Sequence, residues 1–232
     1  MLKKDLILQS PLRLLIPEAE DIIPAGGFGA VLARAGVGKT SFLIQIALST
    51  LLIEKNVLHI SLDDPIKKVS LRYEEVLKRL SKQYHMSQVN ELWEAILPHR
   101  FIMTFKVEGF SVPKLKERLT DLIEQNIFIP QMIIIDGLPF DAEARKPLTE
   151  LKAFTKDCSV NIWLTIRTHR HEKADLQGIP ASLAPVIDLF DAVIQLQPKG
   201  NEIHVRVLKE GESPSDHPAL LLDPNTMLII NK

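Results

Sequence analysis

The sequence predicts an α/β fold: a mostly parallel β-sheet with helices on both faces and an antiparallel extension at its carboxyl-terminal edge. Three observations carry this. Short, wholly apolar runs alternate with longer helical patterns through most of the chain, and strands buried on both faces read as such runs. A glycine-rich loop joins the first of these runs to a long apolar helix. From residue 192 onward, strand-like segments follow one another across Gly and Pro turns with no helix between them.

Residues 1–24 carry Pro11, Pro17 and Pro24 and read as an arm, leaving 25–232 as one domain. Ala25-Gly26-Gly27 is a turn signal. Residues 28–32 form the first apolar strand. Residues 39–54 form a helix that is apolar almost all round, which places it inside the fold. A strand at 57–61 precedes a charged amphipathic helix at 64–80, whose charges mark a solvated face. A helix at 89–97, a strand at 101–105 and a helix at 112–125 lead to the apolar strand 132–135, which ends on Asp136. A helix at 147–157 and a strand at 160–166 complete the alternating part. The last strands are expected at 192–196, 203–208, 219–222 and 227–230, with Lys199-Gly200-Asn201 as a hairpin turn.

The bulk numbers exclude several classes. With 232 residues, 46% hydrophobic and 25% charged, the composition is that of an ordinary globular protein large enough to bury a core. Cys158 is the one cysteine, so no intrachain disulfide can form, and a reducing compartment is the simplest setting. Net charge is −1, from 28 basic and 29 acidic residues, which is not the balance of a protein that coats nucleic acid. No apolar run approaches the roughly 20 residues needed to span a bilayer. The amino terminus carries no secretory pattern, and the cytoplasm is the expected location.

Ala33-Arg34-Ala35-Gly36-Val37-Gly38-Lys39-Thr40 fits the phosphate-loop pattern, with Ala33 in place of the first glycine. Gly36 and Gly38 let the backbone curl until successive N–H groups point at phosphate oxygens. The loop opens a helix, whose amino end favours anions; Ser41 follows in the same turn. Lys39 can reach the β- and γ-phosphates, and the Thr40 hydroxyl can join the shell of a Mg²⁺ ion. Met132-Ile-Ile-Ile-Asp136 adds an apolar strand ending in a carboxylate, the Walker B arrangement, with Asp136 expected to hold Mg²⁺ through water. Mg-ATP is the expected ligand. Gly-Leu-Pro after Asp136 is not a GTPase switch, no Asn-Lys-x-Asp guanine reader occurs, and no arginine-bearing kinase lid stands out.

These residues resemble a known group. Gly29-Ala-Val-Leu-Ala-Arg-Ala-Gly-Val-Gly-Lys-Thr-Ser-Phe is similar to the phosphate-loop region of RecA-like P-loop ATPases in the DnaB-helicase and KaiC branches, where alanine in the first loop position is common. Val57-Leu-His-Ile-Ser-Leu-Asp-Asp64 resembles their Ser-Leu-Glu segment, in which a carboxylate polarises the attacking water. The resemblance therefore implies that Asp63 or Asp64 takes that role. Arg72 stands where DnaB-like chains often place an arginine. Asp188 to Leu196, followed by Val205-Arg-Val-Leu-Lys209, resembles the closing strand and hairpin of the same core. The resemblance spans about residues 20–230 and implies a RecA-like ATPase that forms homo-oligomers, hexamers among them, with nucleic acid as one class of partner.

The sequence also departs from that pattern. Aspartate in place of glutamate shortens the catalytic arm by one methylene. Lys209 is followed by Glu210 and Gly211, so the arginine of the Lys-x-Arg pair that reaches a neighbour's ATP is missing there. No separate helicase domain stands ahead of the core, and a processive helicase is not expected. An ATP-binding regulatory module with little hydrolysis is the alternative to an ATPase.

Other features admit two readings each. Arg167-Thr-His-Arg-His-Glu-Lys173 is either a phosphate-backbone contact or a solvated loop. His169 and His171 beside Glu172 lack the spacing of a metal site. Thr165 is either a γ-phosphate sensor or a buried hydroxyl. Asp141 and Glu143 are either an acidic surface loop or a substitute carboxylate. Trp93 and Trp163 read as packing residues.

Overall fold

The computed structural model describes residues 7, 10–15, 23–106, 109–140, 144–169, 172–175, 178–210 and 218–231. A short helix α1 (Pro11–Leu15) precedes β1 (Phe28–Ala33) and α2 (Lys39–Leu52). Then come β2 (Val57–Ser61), α3 (Ile66–Gln83), α4 (Val89–Ile96), β3 (Arg100–Thr104) and α5 (Val112–Glu124). β4 (Met132–Asp136), α6 (Arg145–Cys158) and β5 (Asn161–Arg167) follow. β6 (Ala192–Lys199), β7 (Glu202–Glu210), β8 (Leu220–Leu222) and β9 (Ile229–Asn231) close the described chain.

The nine strands form one sheet in the order β3-β2-β4-β5-β1-β6-β7-β8-β9. β1 to β6 run parallel, and β7, β8 and β9 add antiparallel at one edge. The expected fold class is borne out. The chain leaves β1, passes over two intervening positions to β2, and later returns to fill them with β4 and β5. The carboxyl ends of β1, β5, β4 and β2 therefore converge on one crevice, where open parallel sheets bind ligands.

Two apolar clusters cover the sheet. One packs α1, α2, α3 and α4 against Val31, Val57, Ile134 and Trp163. The other packs α5 and α6 against Phe28, Leu58, Ile133 and Leu164. In α2, Phe42, Leu43, Ile44, Ile46, Ala47, Leu48, Leu51 and Leu52 are all buried. Burying each large side chain contributes about 1.5–3 kcal/mol. This helix is the centre of its layer, and the phosphate loop is attached to it.

Element ends differ from the sequence expectation for local reasons. α6 begins at Arg145 rather than at the proline, because Pro147 sits in the first turn, where no N–H is needed. It ends at Ser159 in the left-handed region, whose N–H donates to Lys156 O. α3 starts at Ile66, after Pro65, and runs three residues further than expected, to Gln83. β6 and β7 are longer than expected because a two-residue turn with Gly200 at φ 59° lets them pair from Lys199↔Glu202 back to Ala192↔Glu210.

Candidate nucleotide site

β1 delivers Ala33 to the sheet edge, and Arg34, Ala35, Gly36, Val37 and Gly38 turn the chain into α2, which opens with Lys39, Thr40 and Ser41. Gly36 and Gly38 have φ of 77° and 104°, a region that side chains rarely adopt. No side chain caps α2, and its first turn holds no acidic residue, so its amino end is left for an outside anion. Lys39 Nζ folds back and donates to Ala33 O (3.0 Å) and Arg34 O (3.1 Å). Burial lowers the Lys39 pKa below its ordinary value, Asp136 works against that shift, and Arg167 adds to it.

Asp136 ends β4 with both carboxylate oxygens occupied. Thr40 Oγ1 donates to Oδ2 (2.7 Å), and Thr165 Oγ1 donates to Oδ1 (2.8 Å). Thr165 in turn accepts the Gly137 N–H (2.9 Å). The residue that had two readings is thus a buried hydroxyl bonded to Asp136. Three elements that lie apart in sequence meet here because β4 lies between β2 and β5, and α2 begins directly above.

The two neighbouring aspartates have different surroundings. Asp64 forms ion pairs with Lys68 (2.6 Å) and with Arg72, and its N–H donates to Ser61 Oγ (3.0 Å). Asp63 has no hydrogen bond or ion pair among the described residues. Its Oδ2 lies 2.6 Å from where a Cβ on Gly137 would be, so glycine beside Asp136 is what lets Asp63 approach. Both aspartates, Ala35, Lys39, Thr40, Arg72, Asp136, Thr165 and Arg167 line one cavity of about 510 Å³. A larger cavity of about 870 Å³, floored by Val112, Leu138 and Leu148, lies alongside. It lacks convergent polar groups, so the smaller cavity is the candidate site.

The remaining expectations fall as follows. Lys209 Nζ donates to Ile187 O (3.0 Å) and does not line the 510 Å³ cavity. Glu172 accepts the N–H groups of His169 and Ser182, so its carboxylate holds its own loop. Asp141, Glu143, Arg170, His171 and Gly211 lie outside the described residues. Trp163 is fully buried and Trp93 stacks on the Arg100 guanidinium, 4.8 Å from its ring centre, so both pack as expected.

Two partnerships around the site escaped sequence reasoning. His59 Nδ1 lies 3.0 Å from the buried Tyr73 hydroxyl, which fastens α3 to β2. Gln45 joins α2 to the β8–β9 turn. The only sequence signal for either was a polar residue at a position that its pattern makes interior.

A curled glycine loop opening a helix, a carboxylate at the end of a neighbouring strand and a parallel sheet with this order define a RecA-like P-loop ATPase domain. Comparison with known families agrees: a family described as AAA domain matches residues 5–146. The chain belongs to that family, and it is an ATP-binding P-loop ATPase domain. Among solved structures, the ATPase domain of a DnaB-like helicase shares the fold, with a TM-score of 0.64 and 17% identity over 90% of this chain and 86% of that one. No curated protein matches the sequence. Among the described residues, no helix is long and apolar enough to cross a membrane.

Proposed function

We propose that this chain hydrolyses ATP to ADP and phosphate, with Mg²⁺ as cofactor, and that Asp63 rather than Asp64 is the water-orienting carboxylate. The observation that carries the reading is the contrast between them: Asp64 is spent on Lys68 and Arg72, while Asp63 faces the cavity without a partner. The loop amides from Ala33 to Ser41 and the Lys39 ammonium hold the phosphates, drawing Lys39 off the loop carbonyls. Thr40 Oγ1 and Asp136, already 2.7 Å apart, are the hard oxygen donors that Mg²⁺ takes. When bound, that ion neutralises charge on the phosphates. Asp63 orients water toward the γ-phosphorus and accepts its proton as the bond to the β-phosphate oxygen breaks. Arg72, held at the cavity wall by Asp64, supplies positive charge on the same side. Thr165 positions Asp136. Residues 25–232 form this unit, with 1–24 as its arm.

Phosphate release in a single turnover, at protein in excess of ATP, tests this. Asp63→Ala lowers the rate by about 10²-fold or more, and Asp64→Ala lowers it far less. Equal losses would overturn the assignment. Lys39→Ala binding ATP as tightly as the wild type would overturn the site itself.

A second reading is a nucleotide-dependent regulatory module with little hydrolysis. Its support is that Lys209 is engaged with Ile187 O and is followed by Glu210 and Gly211, so no arginine stands ready for a neighbour's ATP. Homo-oligomers are proposed for either reading. The particle mass with and without Mg-ATP separates a nucleotide-dependent hexamer from a monomer. Salt-dependent binding of single-stranded DNA or RNA, lost on Arg167→Ala, tests nucleic acid as a partner.

A further inference from the structure

The phosphate loop is braced from the far edge of the sheet. Gly38, the last loop residue before α2, has φ 104° and sits under the β8–β9 turn. A Cβ placed on Gly38 would lie 2.8 Å from Leu222 Cδ2 and 2.9 Å from Met227 Sδ. The space above this glycine is therefore filled by two side chains of the closing hairpin, about 190 residues further along the chain. Interiors at this density do not deform freely.

The turn that carries Met227 is itself tightly tied. Asp223 accepts the Asn225 N–H (2.9 Å) and the Thr226 hydroxyl (2.8 Å), and its carbonyl accepts the Met227 N–H (2.7 Å). Met227 is thereby held at φ 56°, which is costly for a residue that is not glycine. Such a conformation persists only where the surroundings over-determine it. Arg79 Nη1 donates to Thr226 O (3.0 Å) from α3. Gln45, a buried polar residue within the otherwise apolar α2, spends its whole amide on the same junction. Its Nε2 donates to Ser41 O (3.1 Å) and Met227 O (2.9 Å), and its Oε1 accepts the Ile229 N–H (3.0 Å).

We infer that Met227, tied down by Gln45, is a positioning residue for the phosphate loop: the β8–β9 turn holds Gly38 in the left-handed conformation that aims the loop amides at phosphate. The role is pre-organisation. Without the brace, Gly38 samples other φ values, and binding must first restore the aimed state, so affinity falls by the fraction of time the loop is correctly set. The chemistry lies on the other side of the loop, at Asp63 and Asp136. Bound nucleotide should therefore react at nearly the normal rate. The inference rests on the reading that loop 33–41 holds the phosphates.

The test is binding of Mg-ATP and of Mg-tripolyphosphate, which has no base or ribose, to the full chain carrying Met227→Gly. Glycine tolerates φ 56°, so this substitution removes the side chain while relieving backbone cost. Met227→Ala serves if the glycine variant does not fold, and thermal unfolding without nucleotide decides that. Both ligands should weaken by the same factor, about tenfold on the scale of one lost ordering contact. The single-turnover rate at saturating ATP should stay within about twofold of the wild type, and Met227→Leu should restore most of the affinity. Unchanged affinities would overturn the brace. So would loss of ATP affinity alone, which would mean that the turn reads the base or ribose. A fallen rate with unchanged affinity would overturn it as well. Lys39→Ala separates the two readings: if it loses both ligands while Met227→Gly keeps them, the brace fails and the phosphate site stands.

Discussion

His59 ties the fold to pH. It lies on β2 between Ile102 and Ile134 in the sheet register and is wholly buried. Its Nδ1 meets Tyr73, while Nε2 has no partner. Burial lowers its pKa from 6.5 to about 4; the nearby Asp136 and Asp64 oppose the shift, and Arg100 and Arg72 add to it. Between those two values the unfolded chain binds a proton that the folded chain refuses. Stability must therefore fall as pH drops through the window from 6.5 to 4 and be unaffected by this group above it. The shift, 6.5 − 4, is 2.5 units, which corresponds to about 3 kcal/mol at 1.36 kcal/mol per unit. His59→Gln keeps a neutral polar group of similar size and cannot charge. Urea unfolding at steps from about pH 7 to about pH 4.5 should show the wild type losing more stability than the variant, with the gap opening below about pH 6 and approaching that figure. Other titrating groups are common to both proteins and drop out of the difference. Parallel curves for the two proteins would refute the reasoning.

Two further outcomes follow from the packing around the site. Gly29→Ala places a Cβ 2.5 Å from Trp163 Cε3 in a fully buried layer, and should cost about 1–3 kcal/mol of stability, read as a lowered Tm. Thr165→Val keeps the shape but leaves Asp136 Oδ1 and the Gly137 N–H without their partner. It should cost about 1–3 kcal/mol and also reduce the Tm rise produced by Mg-ATP, since Asp136 is no longer held.

What was legible in the sequence is what chemistry compresses into adjacent residues. The loop from Ala33 to Thr40 needs its glycines, lysine and threonine at fixed spacing, so the motif shows itself. Asp136 was visible because the four residues before it are apolar. The antiparallel edge was visible in the missing helices after residue 192. Strand order was not legible from local periodicity, and the contacts of the site depend on it. Thr40 and Asp136 are 96 residues apart, Thr165 and Asp136 are 29 apart, and Gln45 and Met227 are 182 apart. The difference between Asp63 and Asp64 was also hidden. They are neighbours with one chemistry, and only the placement of α3 decides which of them meets Lys68 and Arg72.

The face of the sheet under α2 shows why the site lies where it does. One register row reads Ile102, His59, Ile134, Trp163 and Gly29, nearly all apolar or packed. The next row toward the strand ends contains Ser61 opposite Asp136, with Thr165 bonded beside it. Polar groups deeper in the layer would each cost about 1–3 kcal/mol unless paired, and His59 shows the strain of even one. At the last row they can pair with one another, with the first turn of α2 and with the loop amides. Ser61 Oγ takes the Asp64 N–H, Thr40 and Thr165 take Asp136, and Gly137 takes Thr165. Asp63 alone stays outside this network while facing the same cavity. A carboxylate that the fold leaves unpaired beside a fully paired one contributes nothing visible to stability. Its place is explained by a ligand, and a water held between it and a γ-phosphate is the ligand that the phosphate loop opposite would supply.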